Sequence, residues 1–262
     1  MRTIAVASGK GGVGKTTLVA NLGVALASEG QRTVLFDGDL GLANLDVVLG
    51  LKSEMNIQHV LEGTVPMSQC TAVGPAGLRV VTGSSGASAM LRLSRKRLEA
   101  LLAQKAEFAD STDYLIFDCA SGADPRVMTF LLAADQVVLV TTCDPSSIVD
   151  CYSTAKVLFR YRSDAEIGVV VNRAPDARVA ERACETVQSA AKEFLHKPID
   201  YLGHVSDHPV VAEVARKRDL FVVVRPDLTA SRDVVRLASR LAGADSPGRR
   251  SANPRPVIDK AA

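Results

Sequence analysis

A glycine-rich segment near the N-terminus carries the residue types needed to bind phosphate. Residues 8–17 read Ser-Gly-Lys-Gly-Gly-Val-Gly-Lys-Thr-Thr, and Gly9, Gly14, Lys15 and Thr16 occupy the fixed positions of the pattern G-x-x-x-x-G-K-[ST]. Glycines allow successive backbone N–H groups to turn toward one anion, and the N-terminus of a following helix adds its positive end. The lysine supplies charge for β- and γ-phosphates, and the threonine hydroxyl can bind Mg²⁺. The segment therefore predicts a site for a nucleoside triphosphate with Mg²⁺.

The same segment fits a second pattern, G-x-G-x-x-G, through Gly9, Gly11 and Gly14. Asp37 or Asp39 follows at about the distance at which dinucleotide-binding folds place a ribose contact. The lysine and threonine just inside the predicted helix favour the triphosphate, because a dinucleotide site needs neither. The predicted nucleotide contacts of this loop are Lys10, Gly11, Gly12, Val13, Gly14, Lys15, Thr16 and Thr17.

Acidic side chains follow two further strands of the predicted sheet. Asp37 and Asp39 end one apolar run, and Asp118 ends another. Because the carboxyl ends of parallel strands form one crevice, we expect all three carboxylates to face the glycine-rich loop. Asp118 is interpreted as the magnesium aspartate, Asp39 as the residue that positions the attacking water, and Asp37 as either a site residue or a turn cap. The predicted metal set is Thr16, Asp39 and Asp118.

Apolar runs of strand length alternate with stretches of helical spacing. We expect strands at residues 3–7, 33–36, 78–82, 114–117, 136–141 and 168–171, a shorter one at 199–202 and an edge piece at 222–224. We expect helices at 15–28, 94–108, 146–159, 177–194, 210–216 and 231–241. Most of the runs are continuously apolar, which is typical of strands buried on both faces of a parallel sheet. The order predicts a three-layer α/β fold, with a central, mostly parallel, twisted sheet and helices on both faces.

Composition limits the classes of protein that the chain can represent. Of its 262 residues, 47% are apolar and 23% are charged, and the formal net charge is +2. Such a balance favours a globular fold and disfavours a DNA-binding protein. No apolar run approaches the roughly 18 residues of a membrane-spanning helix, and the N-terminus does not resemble a signal peptide. We therefore expect a cytoplasmic protein, at most peripheral at the inner face of the membrane.

The last residues differ in composition from the rest. Residues 244–262 contain Pro247, Pro254 and Pro256, which forbid a continuous helix, and they hold the net positive charge of the chain. We expect residues 1–243 to form one nucleotide-binding domain and residues 244–262 to be a disordered tail.

With the glycine-rich loop, Asp37-Gly-Asp39, residues 41–46 (Gly-Leu-Ala-Asn-Leu-Asp) and Asp118, the chain resembles the MinD/ParA family of deviant-Walker ATPases over roughly residues 1–243. The resemblance implies a P-loop NTPase fold, ATP and ADP with Mg²⁺, and an ATP-dependent homodimer. It implies that Lys10 reaches the ATP of the partner subunit, and that Asn172 and, more weakly, Asp207 contact the nucleoside. Residues 41–46 would form a switch loop that responds to the γ-phosphate.

Within that family, three stretches are similar to the flagellar-number regulators: 140–150, 201–209 and 230–232. The likeness implies a slow, partner-stimulated ATPase that controls flagellar number or placement, with a signal-recognition-type GTPase as partner. Two segments depart from the usual pattern. Residues 205–207 read Val-Ser-Asp where Pro-Glu-Asp is usual, and residues 119–122 read Cys-Ala-Ser-Gly where Pro-Ala-Gly or Gly-Ala-Gly is common.

Two other functions remain open from the sequence: a MinD-like division-site regulator at the membrane and a ParA-like DNA-segregation ATPase. A basic cluster of Arg92, Arg95, Lys96 and Arg97 could contact DNA, but Arg95 and Glu99 at i,i+4 spacing favour a solvated helix face. The tail lacks the bulky apolar face of a membrane-binding helix. Redox relatives of the family hold an iron–sulfur cluster, and the five cysteines here form no C-x-x-C pair.

Overall fold

A single mixed sheet organises the protein. The computed structural model describes residues 1–41, 43–83 and 93–243, so the predicted tail lies outside the described residues. Within that part the sheet has eight strands in the order β3-β4-β2-β5-β1-β6-β7-β8. The strands are β1 (Arg2–Ser8), β2 (Thr33–Gly38), β3 (Ala72–Val73), β4 (Arg79–Val81), β5 (Tyr114–Ser121), β6 (Gln136–Thr141), β7 (Glu166–Ala174) and β8 (Asp200–Ser206).

Parallel pairing places the ends of the central strands side by side. Every neighbouring pair is parallel except β3 with β4. Strand β5 lies between β1 and β2, and its Asp118 is in register with Asp37 of β2 and Val6 of β1. The three strands that carry the predicted loop and carboxylates are therefore neighbours, and their carboxyl ends open on the same edge of the sheet.

Helices cover both faces of the sheet. Those in the described part of the chain are α1 (Lys15–Ser28), α2 (Leu45–Leu49), α3 (Ile57–Leu61), α4 (Arg95–Ala103), α5 (Pro125–Ala133), α6 (Pro145–Tyr161), α7 (Ala177–Leu195), α8 (Pro209–Arg216), α9 (Phe221–Val224) and α10 (Thr229–Leu241). Buried residues of α3 to α7 form one core with one face of the sheet, and those of α1, α2 and α8 to α10 form a second core with the other. The predicted three-layer α/β fold is confirmed.

Alternation along each strand explains the two cores. In β1, Ala5 and Ala7 belong to the first core, whereas Ile4 and Val6 belong to the second, and all four are fully buried. Both faces therefore need apolar side chains, which is why the strands read as continuous apolar runs. No helix in the described residues is long and apolar enough to cross a membrane.

Three aromatic rings support the sheet beneath the carboxyl ends of β2 and β5. The rings of Phe36 and Phe117 are 5.4 Å apart at an interplanar angle of 89°, and Phe130 of α5 lies 5.4 Å from Phe117. A Cβ added at Gly38 would come within 3.2 Å of the Phe130 ring. The cluster therefore lies directly under the segment that follows β2.

Some sequence-based boundaries were wrong. Residues 222–224, predicted as an edge strand, belong to α9, where the Val224 N–H donates to the Leu220 carbonyl and the Val222 N–H donates to Asn21 Oδ1. A short apolar run fits either a strand or a buried helical turn, and the capping side chain comes from a distant helix. The predicted helix 94–108 is α4 followed by a 3₁₀ segment, Gln104–Phe108.

Truncating Phe130 tests the packing beneath the site. We expect Phe130→Ala to lower the free energy of unfolding by about 3–5 kcal/mol, because the buried ring leaves a cavity between Phe36 and Phe117. Urea denaturation measures the loss. Phe194→Ala is the matched control, because the Phe194 side chain is 65% exposed and its truncation should cost about 0.5 kcal/mol or less. Equal losses in the two variants would contradict the packing described here.

Candidate nucleotide-binding site

The loop between β1 and α1 has the backbone shape of an anion cradle. Gly12 and Gly14 have φ values of +79° and +86°, which side chains other than glycine rarely adopt. Gly14 is the N-cap of α1 and makes no side-chain cap, so the first N–H groups of the helix face the loop rather than a capping oxygen. A Cβ at Gly14 would lie 2.5 Å from Asn172 Nδ2, so the position has no room for a larger residue.

The loop borders a pocket of about 230 Å³. Its lining is formed by Ser8, Gly11, Gly12, Val13, Gly14, Lys15, Thr16, Thr17, Asp39 and Ser121. The structure thus brings Asp39, from the end of β2, to the same pocket as seven of the eight predicted loop contacts. Lys10 lies outside this lining, on the outer side of the loop.

A buried ion pair lies beside this pocket. Lys15 Nζ donates to Asp118 Oδ1 at 2.6 Å, and the two side chains are only 9% and 2% exposed. Burial raises the pKa of Asp118, whereas the Lys15 ammonium and the Thr16 hydroxyl oppose that shift by stabilising the carboxylate. The residue predicted to bind phosphate and the residue predicted to serve Mg²⁺ therefore neutralise each other in the structure described here.

Asp37 has a role that the sequence left open. Its Oδ2 accepts the N–H groups of Asn44 and Leu45, each at 2.9 Å, and its Oδ1 accepts the Asp39 N–H at 3.2 Å. Burial raises the pKa of Asp37 to about 7, and the nearby charge of Asp118 adds to the shift, although the three N–H donors oppose it. Asp37 is therefore the anchor that fixes both ends of the segment between β2 and α2.

The outer side of the loop packs against the start of α6. Lys10 Nζ donates to Ser146 Oγ at 2.8 Å in an exposed contact. A Cβ at Gly9 would come within 2.3 Å of the Asp150 carbonyl oxygen, so loop and helix touch backbone to backbone. The predicted trans-acting lysine is thus held on its own subunit, on the surface that α6 shares with the loop.

The two predicted nucleoside contacts lie at the end of β7 and after β8. Asn172 is 8% exposed, and its Nδ2 donates to the Val13 carbonyl at 2.7 Å, so it braces the loop from the side. Asp207 is exposed and forms an ion pair with Arg173 at 3.7 Å, while its N–H donates to the Ala174 carbonyl. Contact of Asn172 or Asp207 with a nucleoside stays a prediction.

The donor set fits a magnesium nucleotide better than a cation bound by protein alone. Among the described residues, no group of three or more His, Cys, Asp and Glu side chains could hold a metal ion. Mg²⁺ in phosphate sites takes one or two protein oxygens and completes its shell with phosphate and water. Thr16 lines the pocket and Asp118 lies beside it, so both carry oxygens of the required kind, and their contact with Mg²⁺ stays a prediction.

The cysteines are mostly in the core. Cys70, Cys119, Cys151 and Cys184 are buried, and Cys143 is partly exposed. Burial raises the pKa of Cys151 and of Cys184 to about 12, so both thiols keep their protons at neutral pH.

These features define a P-loop NTPase, and comparison with known proteins gives the family. The ParA family model, described as "NUBPL iron-transfer P-loop NTPase", matches residues 1–242. The chain belongs to the ParA/MinD family of P-loop NTPases, whose members are ATPases that use ATP with Mg²⁺.

Relatives within the family include flagellar proteins. The antiactivator FleN of Pseudomonas aeruginosa is 35% identical over 222 residues, which cover 84% of this chain and 79% of that protein. The flagellum site-determining protein YlxH of Helicobacter pylori is 30% identical over 239 residues, covering 91% and 81%. The septum site-determining protein MinD of Pyrococcus horikoshii, solved in complex with Mg-ADP, superimposes with a TM-score of 0.78 at 25% identity, covering 94% of this chain and 99% of that one.

Neutralising Asp118 tests the buried ion pair. We expect Asp118→Asn to lower the free energy of unfolding of the nucleotide-free protein by about 3 kcal/mol, because the Lys15 ammonium stays buried without an opposite charge. Urea denaturation without nucleotide measures the loss. The double variant Lys15→Met/Asp118→Asn should recover most of it, since neither charge remains.

The exposed pair of Arg95 and Glu99, 2.8 Å apart on α4, provides the control. Its side chains are 65% and 50% exposed, so Glu99→Gln should change the free energy of unfolding by less than about 1 kcal/mol. An Asp118→Asn protein as stable as the wild type would show that the pair does not form in solution.

Proposed function

We propose that the chain is an ATP-hydrolysing switch that closes as an ATP-dependent homodimer and regulates the number or placement of flagella. The observation that carries the switch is the buried pair of Lys15 and Asp118 beside the loop pocket. Each of the two charges has a second use, Lys15 on the phosphates and Asp118 toward Mg²⁺. Binding of a triphosphate with Mg²⁺ would exchange this pair for new partners of both groups.

The protein groups around the pocket divide the work of phosphoryl transfer. The N–H groups of Gly11 to Thr17 and the Lys15 ammonium hold the phosphates and balance their charge. Thr16 and, through water, Asp118 hold Mg²⁺, which neutralises charge on the phosphate oxygens. Asp39 accepts a proton from the attacking water and directs it toward the γ-phosphate.

The segment after β2 reports the state of the pocket. Asp39 lies in the pocket lining, and Asp37, two residues earlier, holds Asn44 and Leu45 at the start of α2. A change at Asp39 on binding or loss of the γ-phosphate would therefore reach α2 through the Asp37 carboxylate, which accepts the N–H groups of Asp39, Asn44 and Leu45. Order and disorder of such a segment is a common way for a nucleotide to control a partner-binding surface.

Dimerisation completes the site through Lys10. Its contact with Ser146 is exposed and costs little to break, so Lys10 can leave its own α6 and reach the phosphates of a facing subunit. A cation supplied in trans stabilises charge on the transferring phosphoryl group, which couples hydrolysis to pairing. Hydrolysis is slow in the isolated chain and faster when a partner stabilises the closed dimer.

The flagellar role is supported by the similarity to FleN and YlxH across most of the chain. The partner is a signal-recognition-type GTPase or another regulatory protein, and the dimer works in the cytoplasm or at the inner face of the membrane. Septum-site determination is the second candidate, favoured by the structural likeness to MinD. ATP-dependent sedimentation with anionic liposomes, together with loss of division-site selection on gene deletion and unchanged flagellation, would favour that second role.

Removing the Lys10 side chain tests the contribution in trans. We expect Lys10→Ala to bind Mg-ATP with an affinity within about twofold of wild type and to lose about 100-fold in turnover, because transition-state charge is no longer neutralised. Isothermal titration calorimetry and phosphate release measure the two properties. The matched control is Lys192→Ala, which removes an exposed lysine of α7 and should leave both properties unchanged. Unchanged partner-stimulated turnover in Lys10→Ala would remove the proposed role.

Removing the Asp39 carboxylate separates pairing from hydrolysis. We expect Asp39→Ala to accumulate as a dimer with Mg-ATP, and its turnover should fall by about 100-fold because no group accepts the proton of the attacking water. Light scattering with ATP and with ADP measures pairing, and Glu54→Ala is the exposed acidic control. A variant that stays monomeric with ATP, or that hydrolyses ATP normally, would contradict the assignment.

A further inference from the structure

Ser121 contributes a hydroxyl to the pocket from outside the loop. It is the last residue of β5, three positions after Asp118, and it lines the pocket together with Gly11, Lys15 and Asp39. The sequence pattern gave no reason to assign it a role. Strand β5, which also carries Asp118, sets the position of Ser121.

The backbone fixes where this hydroxyl lies. Ser121 is in register with Ser8 of β1, and the next residue, Gly122, donates its N–H to the Ser8 carbonyl at 2.8 Å. A Cβ placed on Gly11 would lie 3.6 Å from Ser121 Oγ, which is van der Waals contact. Ser121 Oγ therefore faces the glycine at the start of the anion cradle.

The hydroxyl is open to a ligand, in contrast to that of its neighbour. Ser8 Oγ, the other serine hydroxyl of the lining, donates to the Lys10 carbonyl at 2.9 Å. Across residues 1–41, 43–83 and 93–243, Ser121 Oγ has no hydrogen-bond partner from the protein. An exposed serine hydroxyl turns freely and can donate to a nearby phosphate oxygen.

The position within the pocket selects one phosphate. The amides of the loop and the start of α1 cradle the inner phosphates, and Lys15 reaches the β- and γ-phosphates. Asp39, assigned above to the water that attacks the γ-phosphate, lines this pocket together with Ser121, and neither residue belongs to the loop. The terminal phosphate is therefore the one that a hydrogen bond from Ser121 would reach. ADP lacks that phosphate and would leave the Ser121 hydroxyl in water.

We propose that Ser121 Oγ donates a hydrogen bond to a γ-phosphate oxygen of bound ATP and so makes the pocket distinguish ATP from ADP. The inference rests on the proposed ATP-dependent switch and adds to it a residue that sets nucleotide specificity. A hydrogen bond from a hydroxyl to a charged oxygen is strong enough to change binding measurably. The hydrogen bond from Ser121 would join the end of β5 to the nucleotide only while the terminal phosphate is present.

Binding of two nucleotides by three proteins tests the proposal. Calorimetry with Mg²⁺ compares AMPPNP, a non-hydrolysable triphosphate, with ADP for wild type, Ser121→Ala and Ser121→Thr. We expect Ser121→Ala to lower the affinity for AMPPNP by about tenfold and to keep the affinity for ADP within about twofold of the wild-type value. Ser121→Thr, which restores the hydroxyl, should recover the AMPPNP affinity, and single-turnover hydrolysis should follow the same order.

The outcomes distinguish this inference from the function on which it rests. If wild type binds and hydrolyses ATP but Ser121→Ala keeps the wild-type ratio of AMPPNP to ADP affinity, the Ser121 contact is wrong and the switch stands. An equal fall in the affinities of Ser121→Ala for AMPPNP and ADP also contradicts the contact. It would mean that the hydroxyl binds a phosphate that both nucleotides share, or that the substitution disturbs the loop. A wild-type protein that binds neither nucleotide overturns both proposals.

Discussion

The buried pair of Lys15 and Asp118 is the interaction on which the site depends. A single ammonium or carboxylate at that depth would cost several kcal/mol, so each group requires an opposite charge whether or not a ligand is present. In the structure each group satisfies the other at 2.6 Å. In the function proposed above, triphosphate oxygens would take the place of Asp118 beside Lys15, and Mg²⁺ would lie near Asp118. Such an exchange would keep both buried charges compensated.

Register between strands joins that pair to Asp37, which anchors the ends of the segment between β2 and α2. Asp37 and Asp118 are cross-strand partners in β2 and β5, and the charge of Asp118 contributes to the raised pKa of Asp37. Asp37 in turn holds the backbone of Asn44 and Leu45. The Lys15–Asp118 pair and the anchor of the segment after β2 are therefore electrostatically coupled through two adjacent carboxylates.

The sequence predicted most of the elements that local residue patterns determine, and it missed contacts that depend on distant parts of the chain. Continuous apolar runs predicted the parallel strands, and the loop pattern predicted the lining around Lys15 because its spacing reflects the ligand. Helix α5 was missed, although Asp124 caps it and Pro125 opens it, because its nine residues are too short for clear periodicity. Asp37 as an anchor, Ser146 as the partner of Lys10 and Ser121 as a pocket hydroxyl depend on pairings between strands and helices that no spacing along the chain encodes.

The close approach of Gly9 to the Asp150 carbonyl has a consequence for how the molecule can move. Two backbones in contact, with no side chain between them to yield, make the loop and the first turns of α6 a single stiff block. Asn172 also holds this block, through the hydrogen bond from its Nδ2 to the Val13 carbonyl. The ends of the segment between β2 and α2 are held differently, because the N–H groups of Asp39, Asn44 and Leu45 donate to the side-chain carboxylate of Asp37. A side chain can change its rotamer, whereas two touching backbones have no such freedom.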